Sequence, residues 1–403
     1  MSLRTGGPAL APLRTARWAL LAAFGLLVAS TQLLWISLAP VTGEAARALG
    51  VSEGAVGDLA GLEPVVYVLL AIPAGRWMDR RFGPALTLGA LLTAGGALVR
   101  AAGPGSYGWV LAGQVAIAVG QPLVLNATTK VAARWFPPAE RATAISVASA
   151  GQFVGILVAA TTGGLLLDAG GLRLLLAVHA AVATAGALAV LVALRLPAAF
   201  EADATGPTSL RWLRHDPLMW RLAALLFVGV GVFNAVATWL DPILDAFGHP
   251  GVGGGLIALM TVTGIAGAAV LPGLAARRDR RRLVLVATTG LTVTVFGLLS
   301  VVHALWLVTG ALAVLGFFLL AGLPVALDWS ELEAGPGRAA TATAFLLLAG
   351  NLGGAVLVLV VQALMGTPHL ALAALAVAAV PGVLVALRLP DRAPVAEPAA
   401  PSP

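Results

Sequence analysis

Several polar side chains sit inside runs that are otherwise apolar, and their types define what the chain can do. Glu63 stands before Pro64, Asp241 before Pro242, and Asp328 precedes Glu331 by three residues. Gln121, Gln152, Asn234 and Asn351 contribute amides, Thr238 a hydroxyl and Trp35 an indole. An ionisable group at the centre of a membrane span costs about 2.5–3.5 kcal/mol on the insertion scale, so one that persists has a partner or a task. A carboxyl such as Glu63 or Asp241 can carry a proton. Amides can stand in for the water around a polar solute, and an indole face attracts a cation by about 0.5–2 kcal/mol. These are groups for recognition and passage. Trp35, Gln121, Gln152, Asn234, Thr238, Asp241 and Asn351 are therefore the expected substrate contacts, with Glu63 and Asp241 as proton-coupling candidates. His179 and His303 are weaker candidates, and Asp58, Asp168 and Asp245 lie at span ends. No Gly-rich phosphate loop with a lysine is present, and isolated histidines in apolar runs are expected to be packed rather than metal-bound. No enzyme activity, cofactor or metal is expected.

The elements that must hold these groups follow from composition. The 403 residues are 59% hydrophobic and 10% charged, with mean hydropathy +0.96; soluble domains carry about 25% charged residues. Such a chain uses lipid as solvent, where only helices or closed barrels satisfy their backbone groups. The apolar runs are continuous and about 20 residues long, which requires helices. Twelve spans are expected, at roughly 18–41, 55–76, 84–103, 108–130, 142–167, 171–194, 219–245, 252–275, 283–303, 305–328, 339–364 and 369–388. The run from Trp18 is too long for the core of a cleaved signal and is expected to be retained. Of the 24 basic residues, 21 fall at the termini and on one set of alternate connections, and 3 on the other set. One missed helix would invert every later loop, so this sorting supports twelve crossings and places both termini in the cytoplasm. The net charge of +6 is explained by these loops, and nucleic acid is not an expected partner. There is no cysteine, and one lysine stands among the basic residues, a bias that fits a GC-rich bacterial genome and an inner-membrane location.

The spans repeat. Ala150-Gly151-Gln152-Phe153-Val154-Gly155 matches Ala349-Gly350-Asn351-Leu352-Gly353-Gly354; Gly120-Gln121-Pro122 matches Gly322-Leu323-Pro324; Trp35 and Pro40 match Trp239 and Pro242. An even number of helices per unit keeps its direction, so two parallel six-helix repeats are expected, with the working surface between them. The expected division is a cytoplasmic segment 1–17, a bundle 18–194, a linker 195–218, a bundle 219–388 and a disordered Pro/Ala-rich tail 389–403. The small faces Gly57/Gly61, Gly151/Gly155 and Gly350/Gly354 are read as close helix packing.

The loop Gly75-Arg76-Trp77-Met78-Asp79-Arg80-Arg81-Phe82-Gly83 resembles the signature G-x-x-x-D-R-x-G of the major facilitator superfamily, with one extra residue before Gly83. Gly273 with Arg277-Arg278-Asp279-Arg280-Arg281-Arg282 is a degenerate second copy. Gln121-Pro122, Leu125-Asn126-Ala127, Trp135-Phe136-Pro137-Pro138 and Glu140-Arg141-Ala142-Thr143-Ala144 resemble the feline leukaemia virus subgroup C receptor-related carriers. That family carries choline and related amines and is linked to haem. The resemblance implies alternating access, with spans one, four, seven and ten lining a cavity and two, five, eight and eleven at the interface. It places Trp35 and Gln152 at the family's span-one aromatic and span-five glutamine. Asn234 and Asn351 stand where the family has a tyrosine and a second glutamine. Gly75, Asp79, Arg80, Gly83, Arg141, Asp328 and Glu331 are the expected signature-loop and gating residues, with Arg338 or Arg141 as partners of the acids. Gly350-Asn351-Leu352-Gly353-Gly354 also resembles nitrate carriers. The arginines that clamp nitrate are not matched, and no Arg or Lys is expected in the middle of a span.

The function expected is therefore passage of a small organic cation or neutral polar metabolite through the bilayer by a monomer. The alternatives are a proton-coupled exporter of lipophilic compounds, a small-anion carrier, and a non-transporting receptor built on the same fold.

Overall fold

The computed structural model describes residues 10–200 and 209–391, with side-chain surroundings from residue 15 onward. Residues 1–9, the part 201–208 of the expected linker and the tail from 392 lie outside the described residues. The chain divides into two units, Met1–Asp203 and Ala204–Pro403. The described residues are helical, without strands.

The first unit contains α1 (Leu10–Trp35), α2 (Thr42–Leu49), α3 (Glu53–Arg80), α4 (Phe82–Ala102), α5 (Tyr107–Leu125), α6 (Ala127–Trp135) and α7 (Pro138–Ala193). The described part of α1 begins at Leu10, within the expected segment 1–17. The short α2 falls where a loop is expected. Its Ala45, Ala46 and Leu49 join Leu38, Leu172 and Leu175 in an apolar cluster, and Gly50 closes it at φ 66°, a left-handed cap that glycine adopts without cost. Ser52 caps α3 by accepting from Ala55 N at 3.2 Å.

Eleven stretches among the described residues are long and apolar enough to cross a membrane. One of them, α7, is 56 residues long and is non-helical at Gly170 and at Gly171, where φ is 67°. Packing shows that the chain reverses there. A methyl added at Gly151 would lie 2.8 Å from Gly25 O, and one at Gly163 would lie 3.2 Å from Pro40. Past the break, Leu172 shares a cluster with Leu38, and a methyl at Gly186 would lie 3.2 Å from Leu27 N. The two parts of α7 thus run along α1 in opposite senses, as two crossings.

The second unit contains α8 (Arg211–His215), α9 (Pro217–Ala246), α10 (Gly253–Arg277), α11 (Arg281–Leu299), α12 (Leu305–Ala334), α13 (Ala339–Ala363) and α14 (Pro368–Leu387). Asp216 caps α9 by accepting from Leu218 N at 2.9 Å and Met219 N at 3.1 Å. Helix pairs close on glycine, as expected where lipid tails supply no hydrophobic drive between helices. A methyl at Gly350 would lie 3.0 Å from Val230, and Gly353 lies against the Phe227 backbone. Gly151 and Gly155 hold α7 on α1 in the same way. Gly57 and Gly61 meet nothing within 4 Å of an added methyl, so close packing there is not found.

Candidate functional site

The densest polar cluster of the first unit is one the sequence reading did not assemble. Arg100, on α4, is 1% exposed. Its Nη1 donates to Leu34 O at 3.0 Å and to Gln114 Oε1 at 2.8 Å, and its Nη2 donates to Ser37 Oγ at 2.5 Å. Glu63 on α3 and His179 in the second part of α7 lie within electrostatic reach of the same guanidinium. Glu63 is fully buried, and neither carboxylate oxygen has a hydrogen-bond partner; both ring nitrogens of His179 are likewise unpartnered. Trp35, Ser37, Gly57, Ala60, Arg100 and Gln114 line a cavity of about 60 Å³. That is room for a few waters, each needing about 10–15 Å³ by this measure, and too little for organic cargo.

Arg100 lies in the last turn of α4, not in the middle of the span, and its side chain is buried and not in a solvated connection. The usable signal was helical spacing: Thr93, Gly96, Ala97 and Arg100 share the buried face of α4. Lys130 and Arg281 are buried too, rather than in solvated loops.

The signature loop is built around a second buried charge. Asp79, the penultimate residue of α3, meets Lys130 Nζ at 3.2 Å with both side chains fully buried, and Lys130 also donates to Asp79 O at 3.2 Å. Gly75 is buried on the same helix, Arg80 is exposed, and Gly83 opens α4 with free space around it. The extra residue is absorbed by Arg81, the single non-helical position between α3 and α4. Nearby, Tyr67 donates to Asn126 Oδ1 at 2.6 Å, and Asn126 Nδ2 donates to Ala71 O at 3.0 Å, tying α3 to the α5–α6 junction. Arg141 donates to Phe136 O and Ala133 O, and Arg17 pairs with Glu140 at 2.8 Å. In the second unit Asp328 takes Arg281 Nε at 2.6 Å. Glu331 is buried, and Arg338 lies over the Trp212 ring at 5.4 Å.

Within each unit the expected substrate contacts have the following surroundings. Trp35 spends its indole N–H on Ala60 O at 2.9 Å, and Trp239 spends its own on Val358 O at 3.1 Å. Gln152 is 8% exposed with an unpartnered Nε2. The register of Gly151 on Gly25 puts Trp35 roughly 14 Å further along the α1–α7 seam than Gln152, at 1.5 Å per residue. Gln121 is buried on α5 and makes no hydrogen bond among the described residues. Asn234 lies against Gly354 at the α9–α13 seam. Thr238 is exposed and donates to Asn234 O at 2.8 Å; Asn351 donates to Leu347 O of its own helix at 2.9 Å. Asp241 is half-buried and accepts from Gly253 N at 2.8 Å, which places it at the positive end of α10. No group of three or more potential metal ligands occurs among the described residues.

The arrangement has known counterparts. Solute carrier family 49 member A3 of Danio rerio is 29% identical over 385 residues, covering 88% of this chain and 79% of that protein. Its Xenopus tropicalis namesake is 28% identical, covering 86% and 78%. Among solved structures, a bacterial homologue of the iron transporter ferroportin superposes with a TM-score of 0.76 at 15% identity, covering 93% of this chain and 98% of that one. The E. coli fucose:proton symporter gives 0.75 at 18% identity, covering 92% and 97%. At such identities the structures share the fold alone. The family profile of the Major Facilitator Superfamily matches residues 18–358. With its repeated bundles of membrane-crossing helices and buried signature-loop aspartate, the chain belongs to the Major Facilitator Superfamily of membrane transporters.

Proposed function

We propose that the chain carries a small organic cation or neutral polar metabolite by alternating access, as a monomer in a bacterial inner membrane with both termini cytoplasmic. The observation that carries the reading is Gln152. A buried amide donor left without a protein partner costs about 1–3 kcal/mol, and Gln152 Nε2 is such a donor within a transporter fold. A solute that accepts its hydrogen bond removes that cost. Trp35, Gln121, Asn234, Thr238, Asp241 and Asn351 are the further proposed contacts. The solute carrier family 49 relatives are consistent with the resemblance to receptor-related amine carriers, and composition supports the bacterial membrane. A thermal-shift screen of purified protein against amines, polyols and small anions tests this. Stabilisation by an amine or polyol that disappears in Gln152→Ala is expected; stabilisation by anions alone refutes it.

A second reading, proton coupling through Glu63, is favoured by that carboxyl's burial and unpartnered oxygens beside Arg100. Uptake into proteoliposomes that collapses with a protonophore, and becomes insensitive to it in Glu63→Gln, supports coupling. Uptake indifferent to the protonophore excludes it.

A further inference from the structure

The connection between α10 and α11 holds five arginines and one aspartate, Arg277 to Arg282. Two arginines are committed. Arg281 pairs with Asp328 at 2.6 Å and Asp279 at 3.2 Å. Arg282 donates to Leu387 O at 2.7 Å and to the Asp391 carboxylate, joining the start of α11 to the end of α14. Arg277, Arg278 and Arg280 are exposed and form no side-chain hydrogen bond or ion pair among the described residues.

A loop that only marks the basic face of the membrane needs no particular shape, and this one has a shape. Asp279 adopts φ 50°, the one non-glycine residue with positive φ among those described. There it closes α10 as a left-handed cap, with Arg280 N donating to Ala275 O at 2.8 Å. Beside it a groove of about 330 Å³ opens between α11 and α14. Arg282 and Asp391 lie on its floor and Arg280 on its edge. Its apolar wall is Leu283, Val286 and Leu387, of which Leu283 is 55% and Leu387 49% exposed. Asp279, Asp328 and Asp391 offset three of the five arginines, and Arg280 is the arginine lining the groove that makes no ion pair among the described residues.

We propose that this groove binds the phosphate of an anionic phospholipid, with Arg280 on the phosphate and an acyl chain along Leu283 and Leu387. The shared chemistry is a phosphate oxyanion, which a free phosphate also offers. The apolar wall has no use for free phosphate, and a zwitterionic headgroup finds no uncommitted carboxylate for its ammonium. Basic grooves between helices at the membrane surface suit such headgroups, each arginine contributing a factor of about five.

The experiment uses the full chain in mild detergent. Phosphatidylglycerol, phosphatidylcholine and inorganic phosphate are titrated while thermal unfolding is followed, and native mass spectrometry counts retained lipid. Phosphatidylglycerol should stabilise the protein and be retained as one copy. Phosphatidylcholine should act at least about fivefold more weakly, and inorganic phosphate should not act. Arg280→Gln should weaken the phosphatidylglycerol effect about fivefold; Arg211→Gln, an exposed arginine on α8, should leave it unchanged. Should Arg280→Gln unfold in detergent, Leu283→Glu gives the same test from the apolar wall. Equal effects of the two lipids, a phosphate effect matching that of phosphatidylglycerol, or equal losses in Arg280→Gln and Arg211→Gln overturn the proposal.

Discussion

Replacing Lys130 with Met leaves Asp79 as a buried anion without its ammonium. The pair is 3.2 Å apart with both side chains fully buried. At an effective dielectric of about 20, two unit charges at that distance attract by roughly 5 kcal/mol. Most of that offsets the cost of taking both ions out of water. The remaining ion keeps its own desolvation cost and loses this attraction, and breaking a buried pair at one partner destabilises a protein by about 3–5 kcal/mol. Lys130→Met and Asp79→Asn should each fall in that range, more than a hundredfold in the folding equilibrium. The double variant Asp79→Asn/Lys130→Met should lie well short of the summed losses, because the attraction between the two is then lost once and not twice. Equilibrium unfolding in bicelles of the four proteins closes the cycle without reference to any cargo. A double variant equal to the sum of the singles within about 0.5 kcal/mol would show the two ions acting independently. A Lys130→Met loss under about 1 kcal/mol would refute the stranded-charge argument itself.

Three further outcomes test the packing and the polar contacts. Gly353→Leu should fail to fold or lose at least about 1–3 kcal/mol, since the residue lies against the Phe227 backbone; Gly57→Ala, with open space around it, should be neutral in the same unfolding assay. Tyr67→Phe strands the Asn126 carbonyl oxygen and should cost about 1–3 kcal/mol, with Asn126→Leu/Tyr67→Phe recovering part of it. Trp35→Phe removes the 2.9 Å bond to Ala60 O and should cost about 0.5–1.5 kcal/mol. If the ring also faces a cationic cargo, transport should survive in Trp35→Phe and fall in Trp35→Ala.

The architecture was legible because lipid imposes a strict demand. Every backbone group has to be satisfied within its own helix, and with the bilayer's thickness that fixes run length whatever the cargo. Even the break in α7 falls at Gly170-Gly171, between the expected fifth and sixth spans. Polar detail was less legible. Arg100 and Lys130 look like loop charges when counted by distance from the nearest turn, and their burial depends on which helix face they occupy. Gly57 and Gly61 have the spacing of a packing face and meet no partner, while the identical spacing at Gly151 and Gly155 closes α7 on α1. Spacing specifies that a helix can be approached closely; it does not specify that another helix comes.

The two units repeat the scaffold without repeating the chemistry. Both close the first span of the unit on its fifth through glycine, α1 on α7 and α9 on α13. They differ in how the fourth span is held. In the first unit Gly96, Gly113 and Gly120 draw α5 onto α4; in the second, Gly264, Gly267 and Gly316 draw α12 onto α10. Arg100 and Gln114 sit on that α4–α5 pair, beside Gly96 and Gly113, and the guanidinium reaches across to Leu34 and Ser37 on the α1 side. Two hundred and two residues on, at the spacing of the Gly120 and Gly322 motifs, the second unit has Val302 and Gly316 in their place. Val302 lies beyond the end of α11 and is 38% exposed, so no buried side chain takes that position in the second unit, while Gly316 lies against Met260. The first unit thus combines close glycine contact with a buried guanidinium at one place in the repeat, and the second keeps the glycine contact alone.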